Sequence, residues 1–234
     1  MKNVLITGVA SGIGEALLKV FINNNDNVIG IDIKKPTTTK DYLFYQADIT
    51  NDEHLNNIYN DLLVKGIGLD IIINVAGIHK MASFLETDYK VMKKVIDINL
   101  SGTILVNRTF HQLLKAKGTI IIVTSEVASF DPLPYNGLYS VSKIALDAYS
   151  QALRQEMNLL DQRVITIRPG SVETNLSNGS LEDTSKLVND TKLFKKQSVY
   201  FLNLVKKFMG KSIKPEKLAR KIYKITCKKH PKYV

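Results

Sequence analysis

A glycine-rich turn between a short apolar run and an amphipathic helix pattern is the feature that most restricts the fold of this chain. The apolar run Val4-Leu5-Ile6 leads directly into Thr7-Gly8-Val9-Ala10-Ser11-Gly12-Ile13-Gly14. Apolar residues at helical spacing follow as far as Phe21. Glycines in such a turn let backbone N–H groups approach a phosphate at the N-terminus of a helix. The pattern predicts half of a βαβ unit, although its spacing is G-x-x-x-G-x-G rather than the commoner G-x-G-x-x-G.

Apolar strand patterns and helix patterns alternate along the rest of the chain, which is typical of an α/β sheet. Further strands are predicted at 27–33, 42–47, 69–73, 118–125 and 162–168. Helices are predicted at about 51–65, 88–115 with a break near Asn99, 139–160, 198–209 and 215–228. Residues 171–196 are polar and lack periodicity, so they are predicted to form a mobile substrate loop. The expected fold is a doubly wound parallel sheet of Rossmann type with three α/β/α layers. It forms one domain over 1–234, with a core at 1–175 and a substrate loop or lid at 176–214.

Composition and charge restrict the setting of this domain. The 234 residues, 44% of them hydrophobic, suit a globular protein with a large core. The single cysteine, Cys227, and the short apolar run at the N-terminus favour a cytoplasmic location. Of the net charge of +10, residues 186–234 contribute +13, from 15 Lys and Arg against two acids. Such a tail can attract an acidic substrate, a membrane surface or nucleic acid, but without a nucleic-acid motif we interpret it as a solvated lysine-rich surface.

Polar residues follow several of the predicted strands, where ligands of open α/β sheets bind. Asp32 ends the second strand. An acid in that position accepts hydrogen bonds from the ribose hydroxyls of NAD and repels the 2′-phosphate of NADP. The alternative is that Asp32 is only a turn residue. Lys34 follows and weakens the preference for NAD, because its side chain can turn toward a phosphate.

Ser125 ends another predicted strand. Asn99 lies in an apolar setting, as a structural hydrogen bonder or a site residue. His79 is predicted to be a surface residue.

Tyr139 and Lys143 lie four residues apart, one turn from each other on one face of the predicted helix. A lysine charge in that position favours the phenolate and is expected to lower the pKa of the tyrosine. By itself the pair is also consistent with a coincidence of helix spacing.

Together these motifs resemble the short-chain dehydrogenases/reductases. The resemblance rests on the glycine-rich turn, Asn74-Val75-Ala76-Gly77, Asn99, Ser125, Tyr139-x-x-x-Lys143 and Pro169-Gly170, in the family's order, and it covers about residues 1–175. It implies a sheet of seven strands, the last of them a short one near Pro231 to Tyr233. It also implies a homodimer or homotetramer in which helices 100–115 and 140–160 pack against a partner.

The resemblance implies a role for each matching residue. Tyr139 is the acid/base, Lys143 lowers its pKa and holds the nicotinamide ribose, Ser125 bonds the substrate oxygen, and Asn99 holds a water that links Lys143 to solvent. The cofactor-binding residues it implies are, besides Tyr139 and Lys143, Gly8, Ser11, Gly12, Ile13 and Gly14 at the pyrophosphate, Asp32 at the adenosine ribose, Asp48 and Ile49 at the adenine, Asn74, Ala76 and Gly77 in the cleft, and Pro169, Gly170, Val172 and Thr174 at the nicotinamide. No metal is implied.

The chain departs from the family pattern in the loop before Tyr139. Thr124-Ser125-Glu126 replaces the usual Ser-Ser pair, and the commonest spacing of 13 residues before Tyr139 falls on Glu126 instead of Ser125. A carboxylate cannot replace a neutral hydroxyl donor to an oxyanion, so Ser125 is predicted to be the catalytic serine, with one extra residue in the loop. Asn-Val-Ala-Gly also replaces the usual Asn-Asn-Ala-Gly.

The expected function is hydride transfer between a dinucleotide, NAD in preference to NADP, and a small secondary alcohol or carbonyl compound. The alternative is a nucleotide-binding regulatory or scaffold protein without turnover, because a fold does not establish an activity. A third hypothesis is an enzyme of the membrane surface, suggested by Val199, Leu202, Val205 and Phe208 beside the basic tail. We favour a lid or subunit contact for that stripe, and expect no nucleic-acid partner.

Overall fold

Six parallel strands form one twisted sheet in the computed structural model, which describes residues 1–37, 41–208 and 212–228. The strands are β1 (Asn3–Thr7), β2 (Asn27–Asp32), β3 (Leu43–Gln46), β4 (Leu69–Asn74), β5 (Leu114–Val123) and β6 (Arg163–Ile167). Their order is β3-β2-β1-β4-β5-β6, so the chain reverses direction across the sheet between β1 and β4. This is the doubly wound topology that the sequence predicts.

Eight α-helices connect and cover the strands. They are α1 (Gly12–Asn23), α2 (Asp52–Val64), α3 (Tyr89–Ile96), α4 (Thr103–Phe110), α5 (Gly137–Asn158), α6 (Asn175–Asp190), α7 (Lys195–Phe208) and α8 (Pro215–Thr226), counted over the described part of the chain. The break predicted near Asn99 is a π-helical turn, Asp97–Gly102, between α3 and α4. Asn51 caps α2, because its side chain accepts a hydrogen bond from the backbone N–H of His54.

Alternate residues of each central strand point into two hydrophobic layers, which bury both faces of the sheet. On one face, Leu5, Ile72 and Ile120 pack against α2, α4 and α5. On the other face, Ile6, Ile73 and Ile121 pack against α1 and α8. The near-continuous apolar strands in the sequence therefore reflect burial on both sides.

The sequence prediction was wrong for residues 171–196. Instead of one polar loop, most of this stretch is α6, which packs against the following helix α7. Thr184, a polar residue, is fully buried in α6. Because the buried side of α6 includes such polar residues, its hydrophobic periodicity is weak in the sequence. The short strand expected near Pro231 to Tyr233 lies outside the described residues.

None of the helices in the described ranges has both the length and the apolar character that crossing a bilayer requires.

Candidate active site

The glycine-rich turn is shaped by the close approach of main chain to main chain. Gly8 has φ +78°, and a Cβ there would lie 2.8 Å from the Cα of Ala76. A Cβ on Gly14 would lie 1.9 Å from the carbonyl oxygen of Gly8. Gly12 has φ +57°, and its Cβ would lie 3.0 Å from the Cγ2 of Thr174. Side chains are therefore excluded from these positions, which leaves a cradle of backbone at the N-terminus of α1.

Hydrogen bonds fix the cradle to the ends of three strands. Gly8 donates its backbone N–H to the carbonyl oxygen of Ile31 at 2.8 Å. The hydroxyl of Thr7 accepts backbone hydrogen bonds from Val75 and Ala76, both at 3.2 Å. The predicted Asn-Val-Ala-Gly segment thus lies directly against the glycine-rich turn, at the point where the strand order reverses.

Asp32 lies beside the cradle, partly exposed at the end of β2. One carboxylate oxygen accepts a hydrogen bond from the backbone N–H of Ala10, and the other from that of Lys34, both at 2.9 Å. The negative charge is therefore held in a fixed position, as a carboxylate that binds ribose hydroxyls requires.

The residues predicted to flank the adenine follow β3. Asp48 accepts two hydrogen bonds from Thr50, from the backbone N–H at 2.9 Å and from the hydroxyl at 2.8 Å. Ile49 is buried, and its side chain lies against Gly102 of the π-helical turn. Their contact with an adenine stays a prediction.

Tyr139 lies in the first turn of α5, and the side chain of Ser125 is close enough to its hydroxyl to lower its pKa. Ser125 is itself held at the start of a 3₁₀ turn, Glu126–Ser129, where its hydroxyl accepts a 3.4 Å hydrogen bond from the N–H of Val127. Glu126 is exposed and turned away, with its carboxylate against Gly170. The structure therefore brings Ser125, and not Glu126, to the tyrosine hydroxyl, despite the longer loop.

Burial controls the ionisation of Tyr139 and Lys143. It raises the pKa of Tyr139 to about 12, and the hydrogen bond from Ser125 opposes this rise. It also lowers the pKa of Lys143 to about 8. The ammonium donates to the carbonyl oxygen of Val123 at 3.1 Å and lies 5.8 Å from the centre of the Tyr139 ring. The expectation that the lysine lowers the pKa of Tyr139 was therefore wrong for this structure, because loss of solvent is the larger effect.

Asn99 is fully buried in the π-helical turn and anchors the strand-end segment that faces Lys143. Its amide donates to the carbonyl oxygen of Ile78 and the hydroxyl of Ser142, each at 2.9 Å, and accepts from the N–H of Ile78 at 2.7 Å. The sequence left open whether Asn99 is a structural hydrogen bonder or a site residue. In the structure its side chain forms structural hydrogen bonds next to Lys143, so the two alternatives are compatible. Its predicted water stays a prediction.

Asn74 differs from the other residues predicted for the cofactor cleft. Its side chain is 3% exposed and donates to the side chain of Asn107 at 2.7 Å, inside the protein. By contrast, a Cβ on Gly77 would lie 3.1 Å from the Oδ1 of Asn99 and 3.7 Å from the Nζ of Lys143. Gly77 thus lies beside Asn99 and Lys143, whereas the Asn74 amide supports the strand end from within.

The segment that follows β6 lies over the glycine-rich turn. Pro169 accepts a hydrogen bond from the N–H of Glu126 at 2.9 Å, and Val172 forms a single bridge with Ile213. Thr174 lies against Gly12. The structure therefore gathers the residues predicted for the nicotinamide at the same edge of the sheet as the cradle.

His79 contradicts its prediction as a surface residue. Its ring lies edge-on to Tyr139, with 4.5 Å between ring centres, and its Nε2 is 2.9 Å from the Oδ1 of Asn136. Burial lowers the pKa of His79, which favours the neutral ring. Its position directly after Asn-Val-Ala-Gly-Ile is the sequence signal that identifies this contact, because that segment leads away from the strand end at the site.

Two carboxylates fasten α6 and the link between α6 and α7 to the segment that follows His79. Asp183 of α6 pairs with Lys80 and accepts a hydrogen bond from the N–H of Met81 at 3.2 Å. Glu86 accepts hydrogen bonds from Thr191 at 2.5 Å and from the N–H groups of Lys192 and Leu193. The hydrogen bond with Thr191 is the main cause of a lowered pKa for Glu86. The predicted lid region is thus a pair of helices tied to the site.

Known proteins resemble this chain in sequence. The family model described as short chain dehydrogenase matches residues 2–185. A short-chain dehydrogenase of Neurospora crassa is 33% identical over 184 residues, which are 75% of this chain and 62% of that protein. An NADPH-dependent 1-acyldihydroxyacetone phosphate reductase of Schizosaccharomyces pombe is 34% identical over 187 residues, 77% of this chain and 63% of that protein. The chain therefore spans less than two thirds of the length of these relatives.

The fold also resembles that of a solved structure. The crystal structure of a short chain dehydrogenase family protein from Francisella tularensis superposes with a TM-score of 0.80 at 26% identity, covering 95% of this chain and 90% of that one.

Proposed function

Because this chain belongs to the short-chain dehydrogenase family, we propose that it transfers a hydride between NAD(H) or NADP(H) and a secondary alcohol or its carbonyl form, with Tyr139 as the acid/base. The observation that carries the proposal is the grouping of three side chains: Ser125 is close enough to the Tyr139 hydroxyl to affect its pKa, and the buried ammonium of Lys143 lies 5.8 Å from the centre of the Tyr139 ring. Two hydroxyls that meet in this way can both bond one substrate oxygen.

The residues present fit a dinucleotide. The cradle formed by Gly8, Gly12 and Gly14 has no room for side chains, and Asp32 is fixed beside it. These groups would hold the pyrophosphate and the adenosine ribose, and Lys143 the nicotinamide ribose. When bound, the nicotinamide supplies the hydride or receives it.

The protein itself moves the proton. In carbonyl reduction the hydroxyl of Tyr139 donates a proton to the substrate oxygen, and its raised pKa keeps it protonated at neutral pH. In alcohol oxidation Tyr139 must accept the proton as a phenolate, which the hydrogen bond from Ser125 favours. Asn99 and His79 hold the surrounding main chain and the tyrosine ring in place.

The choice of cofactor follows from Asp32. Its fixed carboxylate favours NAD, because it would repel a 2′-phosphate at close range. Two observations favour NADP instead. Lys34, a positively charged residue, lies two positions after Asp32, and the relative from Schizosaccharomyces pombe is NADPH-dependent. We propose NAD as the preferred cofactor.

An oligomer is also part of the proposal. Ile104 of α4 and Val141 and Ile144 of α5 are between 37% and 47% exposed, although they are large and apolar. Burial of these side chains against a second copy of the chain would remove them from water, which supports the dimer or tetramer expected from the sequence.

Replacement of Tyr139 by Phe tests the proposed function. We expect the variant to lose at least about a hundredfold in turnover, because the proton donor is removed, while it retains dinucleotide binding. The measurement is NADH and NADPH absorbance with a panel of aliphatic, cyclic and 3-oxo carbonyl compounds. Tyr149→Phe, in the same helix but bonded to Asn107, is the matched control and should keep its activity.

Two results would contradict the proposal. Undiminished turnover by Tyr139→Phe would remove Tyr139 from the chemistry. Tight dinucleotide binding by the unaltered protein without turnover of any compound would instead identify a nucleotide-binding scaffold on this fold.

A further inference from the structure

Two apolar cavities adjoin each other beside the entrance to α5. Their volumes are about 640 Å³ and 420 Å³. Both are lined by Leu133, Pro134, Tyr135 and Phe194, so they adjoin at these residues, and the two together are here called the apolar groove. Among its described lining residues Lys196 is the one that carries a charge.

The walls of the apolar groove are a loop and one face of α7. Gln197, Phe201 and Leu204 lie at helical spacing along that face. The ring of Tyr135 stands edge-on to Phe194 and Phe201, with ring centres 5.7 Å and 5.2 Å apart. Aromatic contacts of this kind fix the position of the loop around Tyr135 relative to α7.

The chain segment 135–139 joins the apolar groove to the candidate catalytic site. Tyr135 accepts a backbone hydrogen bond from Ala82 at 2.7 Å, and Gly137 lies against the ring of Phe84. Asn136, between them, bonds His79, whose ring packs on Tyr139. The same short stretch of chain therefore forms the wall of the apolar groove and positions the acid/base.

The lining residues expose a large apolar surface. Leu133 is 55% exposed and Tyr200 72% exposed, and Leu85 at the far part of the apolar groove is 76% exposed. A contiguous exposed apolar surface on a globular protein usually marks a binding site.

We propose that the apolar groove binds the hydrocarbon chain of the substrate, so that the protein acts on a carbonyl or alcohol group carried by a linear alkyl or acyl chain. The inference rests on the proposed function and names the substrate class of the same site. A chain fits better than a bilayer, because the apolar surface here is a concave space between two walls, whereas membrane-bound helices present an outward apolar face.

A series of 2-alkanols with 4 to 10 carbons tests this inference. We expect the Kd, measured by isothermal titration calorimetry with saturating dinucleotide, to fall about three- to fourfold per added methylene until the chain fills the apolar groove. Gln197→Trp, which places a large ring within it, should abolish this dependence and leave 2-butanol affinity unchanged. Asn203→Trp, on the same helix but away from the lining, is the matched control and should retain the full dependence.

The outcomes separate this inference from the proposed function. Equal affinity for short and long alkanols would overturn the apolar groove as a chain site, even if all of them are oxidised. A chain-length dependence that survives Gln197→Trp would overturn it as well. If Gln197→Trp instead abolishes sedimentation with anionic vesicles while the dependence persists, the surface is a membrane contact. Chain-dependent binding without oxidation of any alkanol would support the apolar groove and contradict the hydride transfer.

Discussion

The glycine cradle, which we propose binds the nucleotide, and the proposed catalytic pocket lie at the same edge of the sheet, yet they are built from different parts of the chain. Main-chain atoms and missing side chains shape the cradle, in which Gly8 and Gly14 approach other backbone closely. Buried side chains shape the candidate catalytic pocket, where Lys143 and Asn99 are almost fully buried and Tyr139 is partly buried. Steric exclusion therefore governs the first region, and desolvation and hydrogen bonding govern the second.

This difference determines how each region responds to substitution. An added methyl group in the cradle meets backbone, which cannot move without displacing a strand or a helix. A substitution in the catalytic pocket changes charge and hydrogen bonding, while the backbone around it remains supported by α5 and the π-helical turn.

The largest expected effect comes from Gly14→Ala. Its Cβ would lie 1.9 Å from the carbonyl oxygen of Gly8, so we expect the free energy of unfolding to fall by about 3 kcal/mol and dinucleotide binding to be lost. Gly179→Ala makes the same change within α6, where the space for a Cβ is open, and should stabilise by about 0.5–1 kcal/mol. Urea unfolding of both variants measures the contrast, and similar effects at the two glycines would refute it.

The same contrast explains what the sequence could predict. Glycine spacing is a local pattern that follows directly from backbone geometry, so the cradle is readable from the sequence. The doubly wound sheet is readable from the alternation of strand and helix patterns. Ser125 is also predictable, because a carboxylate at Glu126 is the wrong chemistry for an oxyanion. The ionisation of Tyr139 is not, because burial depends on residues distant in sequence that enclose it.

The substrate side was the least predictable part. His79 contacts Tyr139 because the fold brings the segment after β4 against α5, and in the sequence this contact is indicated only by the position of His79 directly after Asn-Val-Ala-Gly-Ile. The helix α6 was missed because its interior side is partly polar, with Thr184 buried. Its attachment through Asp183 and Glu86 depends on contacts between residues about 100 positions apart.

A smaller effect, within the nucleotide region, is expected from Asp32→Asn. This change removes the charge and keeps the shape, so the preference should move from NAD(H) toward NADP(H) by about tenfold, because a like charge is removed from the position of the 2′-phosphate. Titration of both dinucleotides by fluorescence measures the ratio. Asp48→Asn is the control, since that carboxylate bonds Thr50, and an equal change in both variants would exclude Asp32 as the discriminating residue.

The smallest expected effect tests desolvation in the catalytic pocket through the stability of Lys143→Met. The pKa of Lys143 is about 8 in the folded protein and has its ordinary value of 10.5 when the chain unfolds. Between these values the unfolded state binds more protons, so the unfolding free energy rises with pH for the unaltered protein and lacks this contribution in the variant. From about pH 7 to pH 9 the unaltered protein should gain roughly 1 kcal/mol relative to Lys143→Met in urea unfolding. Lys90→Met, at an exposed lysine, should show no such gain, and parallel curves for Lys143→Met would show that burial does not set the ionisation of this pocket.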